Sequence, residues 1–84
     1  MIVMKIKVYQ SELGKYVEME SIGKYRYIGT EESIGLIPNK IYDCIAIDLD
    51  DDLFDGGVIG IVDESGEDYA YPYTSFKKVE EDND

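Results

Sequence analysis

Leu36-Ile37-Pro38-Asn39-Lys40-Ile41-Tyr42 leads into one apolar run, and Asp63-Glu64-Ser65-Gly66-Glu67-Asp68-Tyr69 leads into Tyr71-Pro72-Tyr73-Thr74-Ser75-Phe76. Turn-forming residues thus fall between short apolar and aromatic runs, the pattern of a small β domain. Pro38-Asn39 forces a turn before Ile41 to Leu49, and Gly66 supplies positive φ to an acidic hairpin turn. Pro72 cannot donate to a ladder, so a 3₁₀-like turn at Tyr73-Thr74-Ser75 is predicted to deliver Phe76 to a closing strand.

Outward from these stretches the period-two pattern persists. Ile2, Met4, Ile6 and Val8 alternate with Val3, Lys5, Lys7 and Tyr9, as in a strand buried on one face. Ser11-Glu12-Leu13-Gly14 reads as the turn of a hairpin, or as a single helical turn stopped by Gly14, and Lys15 to Glu20 returns. Tyr25 and Tyr27 share a face of the next segment. Along Ile41 to Leu49, Ile41, Ile45, Ile47 and Leu49 are expected on one face and Tyr42, Cys44 and Ala46 on the other. Gly60 marks a bend or bulge. The expected strands are 2–9, 15–20, 24–29, 41–49, 58–63, 68–72 and 76–80. No helical periodicity and no internal repeat competes with this all-β reading.

The chain has 84 residues, enough for one core and too few for two. Nineteen acidic against eight basic side chains give a net charge of −11, which repels nucleic-acid backbones and anionic membranes and attracts basic partners. Eight tyrosines and two phenylalanines supply the large rings that fill a thin core. Cys44, the single cysteine, excludes an internal disulfide and fits a reducing cytoplasm. The run Met1-Ile2-Val3-Met4 is broken by Lys5 and Lys7, too early for a signal peptide or a membrane span.

The order of strand, acidic loop, glycine-containing turn and Pro-containing corner resembles SH3-like barrels over roughly residues 24 to 80. Pro72-Tyr73-Thr74-Ser75-Phe76 sits where eukaryotic SH3 domains carry their Pro-Ser-Asn-Tyr corner. Tyr25 and Tyr27 do not spell the Ala-Leu-Tyr-Asp-Tyr motif, and the groove tryptophan is missing. The chain is also similar to a group of short uncharacterised proteins of Gram-positive bacteria and their phages, through Tyr27-Ile28-Gly29, Leu36 to Tyr42, and Asp63 to Pro72 with Phe76. These resemblances imply a small SH3-like barrel over residues 23–80, preceded by an N-terminal β-hairpin extension at 1–22 and followed by an acidic tail at 81–84.

The absence of histidine removes the commonest general base and metal ligand, so no imidazole activates a Ser or Cys. Asp63, Glu64, Glu67 and Asp68 crowd one turn and read as solvated turn residues, since a two-carboxylate mechanism needs a cleft. Asp48-Leu49-Asp50-Asp51-Asp52 begins like a calcium loop. The match fails at Leu53, where Gly is needed, and at Ile59, where a bidentate Glu is needed. No catalytic residue, metal site or cofactor is therefore expected.

What remains is binding. Tyr71, Tyr73 and Phe76 are the candidate groove residues, with Glu31, Glu32, Asp51 and Asp52 as a candidate acidic rim, and core packing competes with a groove for the same rings. The sequence predicts a non-enzymatic, cytoplasmic protein-binding module whose partner is a protein, basic in character. The alternative is an acidic inhibitor, a nucleic-acid mimic occupying a basic site. Self-association through the strand Ile2 to Val8 is compatible with either.

Overall fold

A computed structural model describes residues 4–30 and 35–79. Its elements are β1 (Met4–Gln10), β2 (Lys15–Ser21), β3 (Gly23–Tyr27), β4 (Ile41–Asp48), β5 (Val58–Val62), β6 (Asp68–Pro72), a 3₁₀ turn (Tyr73–Ser75) and β7 (Phe76–Lys78). All seven expected strands form, with no end shifted by more than two residues; the expected residues 2, 3 and 80 lie outside the described residues. The hairpin β1-β2 is one sheet, and the other five strands form an antiparallel sheet in the order β6-β5-β4-β3-β7. Neither sheet closes into a barrel. The sequence pattern implied closure, but β6 ends at Pro72, and the 3₁₀ turn carries the chain across to pair the three-residue β7 with β3.

Local chemistry accounts for the turns. Lys40 N–H donates to Ile37 O at 3.1 Å with Pro38 and Asn39 between, and Asn39 holds φ 68°. That is a type II turn, with proline setting the first corner and asparagine tolerating the left-handed second. Both readings of Ser11 to Gly14 merge in one loop: Gln10 O accepts from Leu13 and Gly14 N–H, and Gly14 (φ 64°) ends the turn so that β2 can pair back.

The core gathers Tyr25, Tyr27, Leu36, Tyr42, Cys44, Ile59, Ile61 and Phe76. Ile59 and Ile61 are fully buried, each contributing roughly 1.5–3 kcal/mol from apolar burial. One expectation fails inside β4. The pairing steps from Cys44↔Ile61 to Ala46↔Gly60, so Ile45 is the extra residue of a bulge. Side chains beyond it change faces: Ile47 pairs with Ile59 and packs on the core, whereas Ala46 lies over Gly60 on the outer face. Gly60 lies opposite the bulge, beside Ile45 and Ala46.

The hairpin, a sheet of its own, is docked against the five-stranded sheet. Val8 is fully buried, Tyr9 N–H donates to Gly66 O at 2.8 Å, and Gln10 Nε2 donates to Asp68 Oδ1 at 3.1 Å. At its other end Ser21 Oγ donates to Asp43 Oδ1 at 3.0 Å, and Ile22 N–H to Cys44 O at 2.8 Å. Val8, part of the expected self-association strand, is thus consumed within the chain. Among the described residues no helix is long and apolar enough to cross a membrane.

Candidate functional site

The β5-β6 turn is built around one carboxylate. Asp63 N–H donates to Glu67 O, Gly66 N–H donates to Asp63 O, and Gly66 takes φ 85° to close the turn. Asp63 is buried at 8% exposure, so its charge needs compensating hydrogen bonds. Oδ1 accepts from Ser65 N–H at 2.8 Å and Ser65 Oγ at 2.5 Å, while Oδ2 accepts from the Tyr71 hydroxyl at 2.6 Å. The side chain fastens the turn to β6. Asp63 is therefore no solvated turn residue, the role its acidic surroundings suggested, because the Tyr71 hydroxyl reaches it across the strand.

Glu64 makes a second fastening. Its Oε2 accepts from Tyr42 hydroxyl at 2.8 Å and pairs with Lys40 Nζ at 2.5 Å, and the Tyr42 oxygen in turn accepts from Ile37 N–H at 2.8 Å. Burial, then the bond to Glu64, pushes the Tyr42 phenol up to about 12. Burial, then the bond to Asp63, pushes Tyr71 up as well. The Lys40 bond, then that of Tyr42, holds Glu64 below the ordinary carboxylate range. Both tyrosines are neutral donors at neutral pH, and both carboxylates are engaged.

Beside this network lies a groove of about 570 Å³, lined by Gly35, Asp63, Glu64, Ser65, Tyr69, Ala70 and Tyr71. That volume falls in the range of ligand clefts. Gly35 is tied in by its carbonyl, which accepts from Glu64 N–H at 2.9 Å. It has φ 89°, and a Cβ there would stand 2.7 Å from Asp63 Oδ2, so only glycine fits. Tyr69 is 49% exposed along the groove wall, and the charge of Glu67 holds its phenol above the ordinary value. The groove therefore offers an aromatic wall and hydroxyl groups beside two carboxylates that are already engaged, Asp63 by Ser65 and Tyr71 and Glu64 by Tyr42 and Lys40.

The sequence-predicted residues are divided by the fold. Tyr71 lines the groove. Tyr73 is half-buried in the 3₁₀ turn, edge-on to Tyr25 at 6.4 Å, with its N–H bonded to Gly57 O. Phe76 is a correction: at 6% exposure it packs against Tyr27 and Tyr71 in the core, because the first residue of β7 faces inward. Asp51 and Asp52 are exposed on the 49–57 loop, and Asp51 Oδ1 caps Leu53 N–H at 2.8 Å. They do not line the groove. Glu31 and Glu32 lie outside the described residues.

Sequence reasoning missed Gly35, Asp63, Glu64 and Tyr69 as site residues. The shared face of Tyr69 and Tyr71 was the available signal. Among the described residues no cluster of three metal-ligating side chains forms. Compared with family models, curated proteins and solved structures, the chain matches none.

Proposed function

We propose that the chain is a non-enzymatic, cytoplasmic binding module of SH3-like descent whose groove holds a basic side chain of an extended protein partner. The observation that carries this reading is the 570 Å³ groove with a half-exposed tyrosine and acidic lining. Tyrosine faces attract cations, and the net charge of −11 adds a field that favours a basic partner. The SH3-like part is supported by the strand order, a four-strand meander β3 to β6 whose last strand returns across a 3₁₀ turn to β3. The open sheet departs from it. A free, buried Cys44 suits a reducing compartment.

The groove moves the site away from the Asp51 and Asp52 loop to the turn at 63–67. Immobilised protein should capture a basic partner from lysate, with capture weakening steeply as salt rises, because flanking charges act through a screened field. Tyr69→Ala should abolish capture while leaving the unfolding midpoint nearly unchanged. Capture that persists in Tyr69→Ala would refute the groove as the site.

A further inference from the structure

The geometry points to strand addition: a cationic, extended segment of the partner pairs with the open edge of β6 while alternate side chains enter hollows on its two faces. This rests on the groove reading above and specifies how the partner is held.

The argument begins with the ladder between β5 and β6. Their register runs Val58↔Pro72, Ile59↔Tyr71, Gly60↔Ala70, Ile61↔Tyr69 and Val62↔Asp68. Just beyond its ends, Tyr73 N–H bonds Gly57 O at 3.0 Å and Asp63 N–H bonds Glu67 O at 3.1 Å. In an antiparallel pair, bonded and non-bonded positions alternate. Residues 67, 69, 71 and 73 therefore turn their backbone groups toward β5. Asp68, Ala70 and Pro72 turn theirs away from it. β6 is the end strand of its sheet, and among the described residues no strand bonds to those outward groups.

Such an edge templates another strand. Pro72, lacking an N–H, sits at an outward position, where a proline costs the native ladder nothing and limits the free edge at that end. The 570 Å³ groove lies on the Tyr69 and Tyr71 side of β6. A second hollow of about 260 Å³ lies over the outer-face row Ala46, Gly60 and Ala70. Successive side chains of an added strand point to opposite faces. Those beside Tyr69 and Tyr71 meet the groove next to the 63–67 turn, and those beside Ala70 meet a hollow that Ala46, Gly60 and Ala70 floor and that Asp48 and Asp68 also line.

Charge selects the occupant. Each chain carries −11, so pairing β6 with β6 of a second copy would bring two strongly like-charged molecules together. A segment alternating Lys or Arg with small or β-branched apolar residues satisfies both hollows and the field.

The test is selection of a random phage-displayed peptide library against the intact protein, followed by amide hydrogen exchange with the enriched peptides. Enriched sequences should alternate basic and apolar residues, and saturation should slow exchange at Ala70 and Asp68 N–H by at least about tenfold. N-methylation of every second peptide amide should weaken binding about tenfold or more, and methylation of the intervening amides should not. Basic peptides that shift Tyr69 without slowing Ala70 would refute strand addition and leave the groove reading intact. Enrichment of no peptide, or of acidic ones, would overturn both. Slow exchange at Ala70 in the free monomer would show the edge already covered by the chain itself, and slow exchange that tracks a concentration-dependent dimer would show a second copy there; either result overturns the proposal.

Discussion

Two acidic stretches of this chain look alike in sequence and behave differently in the fold. The loop from Asp50 to Gly57 and the turn from Asp63 to Glu67 both combine aspartates with glycine. In the loop, Asp50, Asp51, Asp52 and Asp55 stay exposed, and the bonds of Asp48 and Asp51 reach only two residues onward. In the turn, Asp63 is buried and bonded to Tyr71, eight residues away. The density of acids does not distinguish them. The difference is a hydroxyl within reach on a paired strand, which converts one turn carboxylate into a structural fastening and leaves a groove beside it.

The largest effect that could break this comparison is Asp63→Ala. It removes the acceptor of Ser65 and Tyr71, and should lower unfolding free energy by about 3 kcal/mol in urea titration. Next, Tyr71→Phe leaves Asp63 Oδ2 without its donor and should cost about 2 kcal/mol. A smaller cost for either would mean that the fastening is dispensable.

Alkaline pH tests the same bonds without mutation. Tyr42 and Tyr71 have raised folded-state values, so the stability they add is fully present below the unfolded value of 10.0 and is lost as pH rises through the folded ones. Stability should therefore hold up to about pH 10 and decline above it, and in Tyr71→Phe the decline should be shallower. The smallest effect belongs to the loop: Asp51→Ala and Asp52→Ala should each stay within about 0.5 kcal/mol of the parent. A loss near that of Asp63→Ala would erase the contrast.

The sequence made legible whatever depends on local chemistry. Alternation and glycine spacing located the strands, Pro38-Asn39 located its turn, and Pro72 located the 3₁₀ corner. What depends on distant partners was hidden. Ile45 continues the apolar alternation of β4, so nothing in its neighbours announces the bulge that moves Ile47 to the core and Ala46 outward. Asp63 opens an ordinary turn motif, and only the pairing that sets Tyr71 opposite Ile59 brings the hydroxyl to it. Tyr71, readable as a candidate from its place beside Pro72, lines the groove. Phe76 was misassigned because an aromatic residue after a corner serves a groove or a core equally well until β7 pairs with β3.

The most direct test of the central claim is a nuclear magnetic resonance titration with an enriched basic peptide, following every backbone amide. The account predicts that shifts concentrate at Asp63 to Ser65 and at Tyr69 to Tyr71, with the 49–57 loop unmoved and the response lost in Tyr69→Ala. Shifts concentrated at Asp51, Asp52 and Tyr73, with the β6 amides unmoved, would contradict it and return the site to the other end of the sheet.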